Sequence, residues 1–179
     1  MRFLYGDTTL PLRGQHATAH VAIMKSRPAV QETDRLLIRA AVKSDLPAVI
    51  ALDEEVTGLA KRKYWKETFA GLGSRRRSPR FLLVAEQNGR IEGFIVGEIR
   101  AWEFGEPPCG WVFAIQVRPK TRLRGMATRL FEALCDAFRR AGVTKVRTIM
   151  ARDNHLVLSF FRSQGMMAGP FIELETALN

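Results

Sequence analysis

Apolar residues along the chain recur with the two-residue period of β-strands in several short blocks. Residues 80–104 hold two such blocks joined at Gln87-Asn88-Gly89-Arg90, and an Asn-Gly pair between apolar runs is a strong signal for a β-hairpin. Residues 111–117 are dense in aromatic and β-branched side chains, which favour strands. The pattern therefore predicts a hairpin followed by another strand. Further predicted strands are residues 35–41, 145–151 and 170–178.

Other segments have the 3.6-residue period of amphipathic helices, and they are residues 45–58, 61–73, 125–142 and 154–165. In the third segment, Met126, Leu130, Leu134 and Phe138 form the apolar stripe, and Gly142 suits the helix end. Because the hairpin comes first and the crossing helices come later, we predict an α/β fold with helices on both faces of the sheet. The central sheet is expected to be mixed and partly antiparallel, with six to seven strands flanked by about four helices.

The composition narrows the class of protein. A chain of 179 residues that is 46% hydrophobic and 26% charged fits one soluble globular domain. We expect that domain at residues 34–179, after an N-terminal extension at 1–33 without the apolar core of a secretory signal. Apolar runs fall short of the roughly 20 residues that a membrane helix needs. Cys109 and Cys135 have no metal or disulfide spacing, which favours a cytoplasmic location.

The formal net charge of +10 is unevenly distributed along the chain. Residues 61–80 and 118–140 are strongly basic, whereas residues 92–106 are mainly acidic. This alternation suits a protein on which an anionic ligand meets a cationic one. Nucleic acid is the weaker alternative, because the basic runs lack the aromatic interleaving of a nucleic-acid module.

The stretch from Arg122 to Ala127 places Gly125 between arginines and the start of the third predicted helix. A helix N-terminus exposes unpaired N–H groups and a partial positive charge, and glycine lets a ligand approach the backbone closely. One interpretation is therefore a cradle for a phosphorylated ligand. The other is a capped helix with solvated arginines, and the six residues alone do not choose between them.

Two landmarks decide in favour of a cradle. Arg122-x-x-Gly125-x-Ala127 follows an aromatic strand that ends in Val117-x-Pro119, and Asn154 is followed by Phe161 and then Gly165-Met166. Together they resemble the motifs of the GNAT superfamily of N-acetyltransferases. The resemblance extends over about residues 34–178 in the order of the elements.

The resemblance implies acetyl-coenzyme A (acetyl-CoA) as the acetyl donor, no metal, and a primary amine of a small molecule or protein as the acceptor. The pantetheine arm is expected along Ile115, Gln116 and Val117, with further contacts from Asn154 and Phe161. Asn154 also suits an ordinary helix N-cap. The pyrophosphate is expected on the amides of Arg122, Leu123, Arg124, Gly125, Met126, Ala127 and Thr128.

The chain departs from the family pattern at the residues that move protons. Phe161 stands where many relatives carry a tyrosine acid, and Trp111 stands near the position of a glutamate base. Glu98 and Glu103, near the end of the preceding strand, are the candidate proton acceptors, although both also suit solvated carboxylates at a strand edge.

The resemblance also implies that the first two helices and their link wall the acceptor site. The candidate acceptor contacts there are Asp53, Glu54, Tyr64 and Trp65. The main alternative to an enzyme is a coenzyme A-binding sensor or interaction module with little turnover. A homodimer is also compatible with the resemblance, and no membrane partner is expected.

Overall fold

A five-stranded sheet organises the computed structural model, which describes residues 36–73, 79–102, 105–120 and 125–178. The strands are β1 (Leu37–Ala40), β2 (Arg80–Gln87), β3 (Arg90–Arg100), β4 (Cys109–Val117) and β5 (Val146–Thr148). They lie side by side in chain order. Each pair is antiparallel except β4 with β5, which is parallel. The predicted mixed, partly antiparallel sheet is therefore confirmed.

The β2–β3 hairpin has the turn that its sequence predicts. Asn88 and Gly89 both have positive φ, at 53° and 71°, and the flanking Gln87 and Arg90 are opposite each other in the register. Two successive positive φ angles define the turn whose twist matches that of paired strands, and Asn-Gly is the dipeptide that adopts it most readily.

Four α-helices surround the sheet, as predicted. They are α1 (Leu46–Thr57), α2 (Arg62–Ala70), α3 (Met126–Arg140) and α4 (His155–Ser163). A short 3₁₀ turn at Lys43–Asp45 precedes α1, and α1 ends at Gly58 with φ of 73°. None of the helices in the described ranges is long and apolar enough to cross a membrane.

The helices pack on both faces of the sheet and form two cores. Phe94 and Ile95 are neighbours in β3, both are fully buried, and they belong to different clusters because successive strand residues point to opposite faces. The α1–α2 face includes Val49, Leu52, Trp65 and Phe69, and the α3–α4 face includes Leu130, Leu134, Phe138 and Phe161.

The strand count is the part of the predicted fold that was wrong. The described residues contain five strands rather than six to seven, and 170–178 forms no strand. Its alternating Ile172 and Leu174 are 80% and 85% exposed. Alternation alone does not make a strand, which also needs a neighbour for its backbone groups. The segment 1–33, predicted as an N-terminal extension, lies outside the described residues.

Candidate active site

The sheet opens between β4 and β5. In the described residues these strands pair at three positions, from Gly110 with Val146 to Val112 with Thr148. On its other side, β4 stays paired with β3 as far as Val117. The β3–β4 register shifts so that Val112 and Ala114 face consecutive residues of β3, which leaves Phe113 as a bulge. A bulge bends its strand, and here it lies where the two parallel strands begin to separate.

The opening is a cavity of about 450 Å³. Its walls come from β4, from the segment after β5, from α4 and from α1 with the start of α2. The lining residues are Asp53, Lys61, Tyr64, Trp65, Val112, Phe113, Ala114, Ile115, Gln116, Thr148, Ile149, Met150, Ala151, Asn154, Val157 and Phe161. One space therefore brings together the predicted pantetheine strand, both predicted α4 contacts and three of the four predicted acceptor contacts.

The other predicted residues either lie outside this cavity lining or outside the described residues. Glu54 is exposed and Glu98 is partly buried, and both lie outside the cavity lining. Val117 is buried in the core on the α3–α4 face. Residues 121–124, which include the predicted Arg122, Leu123 and Arg124, lie outside the described residues, as does Glu103.

The N-terminus of α3 begins at Gly125, which has φ of 68°. The first helical hydrogen bond runs from the Arg129 N–H to the Gly125 carbonyl, so the amides of Met126, Ala127 and Thr128 have no acceptor within the helix. A Cβ added at Gly125 would meet no described atom within 4 Å. Glycine is therefore favoured here by the backbone conformation and not by crowding.

On α4, Asn154 serves as the helix cap and Phe161 as a cavity wall. The Asn154 Oδ1 accepts a hydrogen bond from the Val157 N–H at 3.2 Å, which is the N-cap arrangement. Phe161 is 3% exposed and its ring lies 5.7 Å from that of Phe131. No hydroxyl reaches the cavity from this position.

Asp53 lies in the cavity wall with a buried side chain that is 2% exposed. Its Oδ2 accepts a hydrogen bond from Trp65 Nε1 at 2.7 Å, and Lys61 Nζ lies 3.0 Å from the same oxygen. Trp65 is 1% exposed, whereas the Lys61 side chain is 39% exposed. Asp53 and Lys61 are the only charged residues among the described residues that line the cavity.

Sequence reasoning placed Asp53, Tyr64 and Trp65 near the acceptor but missed Lys61. Lys61 immediately precedes α2, inside a basic run where nothing distinguishes it from Arg62 or Lys63. Its partner lies in another helix, and no local pattern encodes that contact.

Glu98 lies in a separate charge cluster. Its Oε2 is 2.8 Å from Arg80 Nη2, and its Oε1 is 2.9 Å from Arg100 Nε. Burial acts to raise the pKa of Glu98, but the hydrogen bonds from Arg80 and Arg100 together lower it below the ordinary glutamate value. The Arg100 guanidinium in turn lies 4.8 Å from the centre of the Phe113 ring in the cavity wall. Glu98 thus contacts the cavity through Arg100 and Phe113.

Comparison with known proteins shows the family. The profile described as the Acetyltransferase (GNAT) family matches residues 44–166, a range that contains every described residue of the cavity lining. The chain belongs to this family. The resemblance inferred from the two motifs is confirmed. Across the described ranges, no group of three or more His, Cys, Asp or Glu is arranged to hold a metal ion.

A curated relative is the L-2,4-diaminobutyric acid acetyltransferase of Nocardia farcinica, which is 32% identical over 94 residues. The match covers 52% of this chain and 47% of the relative, so the chain spans about half the length of that protein.

Solved structures support the same fold. The aminoglycoside acetyltransferase AAC(6')-Iy, in complex with a bisubstrate analogue of coenzyme A and acetylneamine, has a TM-score of 0.72 at 16% identity and covers 82% of this chain and 100% of its own. The aminoglycoside 6'-N-acetyltransferase AAC(6')-Ih from Acinetobacter baumannii has a TM-score of 0.68 at 17% identity, with coverages of 81% and 100%.

Proposed function

We propose that this acyltransferase moves an acetyl group from acetyl-CoA to a primary amine of a small molecule, by direct attack within a ternary complex. The observation that carries the proposal is the cavity between the diverging β4 and β5. It places the open edge of β4 in one space with the buried Asp53 carboxylate. A thioester and an amine bound together in this cavity would react in an effectively intramolecular step, because they would no longer have to meet by diffusion.

The donor would bind along β4 and at the start of α3. Residues Ile115–Val117 pair with β3 along one backbone edge. Ile115 and Gln116 also line the cavity, where they would meet the amides of the pantetheine arm. The amides of Met126, Ala127 and Thr128, which have no acceptor within the helix, suit the pyrophosphate because a helix N-terminus favours anions. The predicted Arg122, Leu123 and Arg124 would add outer contacts, and Asn154 and Phe161 would contact the pantetheine from α4.

In the transfer, the neutral amine nitrogen forms a bond to the acetyl carbonyl carbon. The carbon–sulfur bond breaks, its electron pair stays on sulfur, and the nitrogen gives up one proton. For an amine with a pKa near 10.4, forming the neutral species at pH 7 costs about 4.6 kcal/mol. Holding the two reactants together can offset about 7–11 kcal/mol. Positioning can therefore supply much of the catalysis.

Glu98 and Glu103 remain the proposed proton acceptors. The lowered pKa of Glu98 makes its carboxylate a weak base near pH 7. Because Glu98 lies outside the cavity lining, a proton would reach it through water and not by direct contact. With phenylalanine at position 161, the departing thiolate would take its proton from water.

Two observations favour a small acceptor. A cavity of about 450 Å³ shared with the end of the donor leaves room for a small molecule or a single side chain. The relatives named above acetylate 2,4-diaminobutyric acid or aminoglycosides, which are small molecules with several amino groups. We therefore propose a small polar amine as the acceptor.

The first test is binding of acetyl-CoA, measured by the shift in melting temperature. A ligand at 100 times its Kd adds about 2.7 kcal/mol to the stability, which corresponds to a shift of several degrees. Gly125→Glu should abolish the shift, because the side chain would project a negative charge into the phosphate site.

Gly142→Glu is the matched control for this substitution. Gly142 lies just beyond the other end of α3, with φ of 81° and open space around it, so the backbone strain and the added charge are the same. This variant should keep the shift. Absence of any shift in the unmodified protein would refute the proposal. A shift without thiol release across a panel of amines would favour the coenzyme A-binding sensor instead.

A further inference from the structure

Asp53 is a buried carboxylate that already binds an ammonium group. Both of its contacts, from Trp65 Nε1 at 2.7 Å and from Lys61 Nζ at 3.0 Å, fall on Oδ2. In the described residues, Oδ1 accepts no hydrogen bond. The site therefore has one oxygen paired with a cation and a second oxygen with acceptor capacity left for a ligand.

The two partners of Asp53 differ in how firmly they are held. Trp65 is 1% exposed, and its ring packs edge-on against Phe94 with 5.0 Å between the centroids. Lys61 lies just before the first residue of α2, with its side chain 39% exposed. A flexible side chain at a helix start can withdraw into solvent, whereas the indole cannot. The carboxylate and the indole are the fixed parts of the site, and the lysine is its exchangeable occupant.

A cation is the ligand best suited to replace Lys61 at this position. If the lysine withdrew and nothing followed it, Asp53 would remain as a buried, unpaired charge, which is strongly unfavourable. A neutral ligand does not remove that penalty, but a second ammonium does. Tyr64, whose ring centroid lies 5.0 Å from that of Trp65, lines the same cavity as Asp53 and adds the aromatic surface that cations favour.

We propose that Asp53 anchors an ammonium group of the acceptor, which displaces Lys61, and that this group is not the one that is acetylated. The reacting nitrogen must lose its positive charge before it attacks, and it would lose its attraction to Asp53 in the same step. The anchored and the reacting nitrogens are therefore different atoms. This inference rests on the proposed acetyl transfer and adds that the acceptor carries at least two basic amines.

The test compares α,ω-diamines of two to five carbons with the monoamines of the same chain length, using acetyl-CoA and a thiol-release assay. For at least one chain length, the unmodified protein should show kcat/KM at least about tenfold higher for the diamine, because the coupling measured between close opposite charges across interfaces corresponds to at least that factor. The twofold statistical advantage of two amines is too small to explain such a ratio.

Asp53→Asn should reduce this ratio to about two, since it removes the charge while keeping an oxygen for the Trp65 N–H. Glu67→Gln is the matched control, because it removes one negative charge from an exposed residue of α2 and should leave the ratio unchanged.

Lys61→Met should lower the KM for the diamine at least about threefold by removing the competing cation. Lys63→Met, at an exposed position of α2, is the control and should leave the KM for the diamine unchanged.

Binding without turnover gives an independent readout. With coenzyme A in place of acetyl-CoA, the favoured diamine should raise the melting temperature more than its monoamine, and Asp53→Asn should remove the difference. If Asp53→Asn does not fold, the Lys61→Met result decides, and an unchanged or higher KM for the diamine would overturn the proposal. Equal kcat/KM for diamines and monoamines would refute the proposed role of Asp53 and would leave the proposed acetyl transfer intact. Failure to acetylate any amine would refute the proposed transfer itself.

Discussion

At the scale of single residues, Gly110 shows how closely β4 packs against α3. A Cβ placed on this glycine would lie 2.4 Å from Cδ2 and 2.5 Å from Cε2 of Phe138, whose side chain is fully buried. Phe138 itself packs edge-on against Phe81, with 5.5 Å between the ring centroids. Because the ring is fully buried between β4 and Phe81, the missing side chain at Gly110 lets the strand and the helix pack at this distance.

Gly110→Ala should therefore destabilise the protein by about 1–3 kcal/mol, as other overpacked cores do. The opposing gain from a stiffer unfolded chain is only about 0.4–1 kcal/mol, so the clash should dominate. Urea unfolding measures the change. Gly169→Ala, where an added Cβ meets no described atom within 4 Å, is the control and should stay within about 0.5 kcal/mol. A Gly110→Ala protein as stable as the unmodified one would show that α3 can shift away from β4.

At the scale of elements, Asp45 joins the first strand to the first helix. The Arg39 guanidinium of β1 donates to Asp45 Oδ2 at 2.7 Å and to Oδ1 at 2.9 Å, and the Val42 N–H donates to Oδ2 at 2.8 Å. The hydrogen bonds from Arg39 are the main reason that the pKa of Asp45 is lowered from its ordinary value of 3.8. Stability from these contacts is therefore complete above that ordinary value and is lost as the pH falls through the lower pKa of the folded state.

Asp45→Asn should cost about 1–2 kcal/mol at pH 7, since the Arg39 partner is partly exposed and its contribution is screened. The difference from the unmodified protein should begin to narrow as the pH falls below about 4, because the unfolded chain then binds a proton at Asp45 that must be released on folding, and it should disappear only below the lower pKa of the folded state. Urea unfolding at pH 7, 5 and 3 measures this difference in the free energy of unfolding. Glu132→Gln, an exposed position on α3, is the control and should stay within about 0.5 kcal/mol. A difference that is as large at pH 3 as at pH 7 would contradict this account.

The elements that were predictable are those with local signals. The Asn88-Gly89 turn and the Gly125 helix start each need positive φ, and the residues that adopt it are visible in the sequence. The bulge at Phe113 depends on how β4 pairs with β3, which no run of residues in β4 reveals. The segment 170–178 has the alternation of a strand but no strand partner among the described residues. Local patterns therefore predicted most elements and missed the features that depend on partners.

The same distinction holds for the candidate site. The proposed pyrophosphate site follows a continuous motif around Gly125, so its residues could be predicted together. The proposed acceptor site depends on Asp53, Lys61 and Trp65, which meet only because α1 and α2 pack against each other over the sheet. Composition suggested that opposite charges meet on this protein, but only the folded structure shows which carboxylate is buried beside the cavity.

At the scale of the whole molecule, the net charge of +10 acts in opposite directions on the two proposed substrates. Acetyl-CoA is an anion and is attracted by the basic chain, whereas the amine acceptor is a cation and is repelled. Salt weakens both effects, because the Debye length falls from about 10 Å at 0.1 M to about 3 Å at 1 M. The attraction of the acceptor to Asp53 is screened less, because that carboxylate is buried.

Raising NaCl from about 0.05 to 0.5 M should therefore increase the KM for acetyl-CoA several-fold while leaving the KM for the amine unchanged or lower. Steady-state thiol release, with each substrate varied against a saturating concentration of the other, measures both constants. Sodium sulfate at matched ionic strength is the control for specific effects of chloride. If the two constants rise together, salt acts on the fold or on the shared cavity. The long-range charge of the molecule would then have no separate role in bringing the donor to its site.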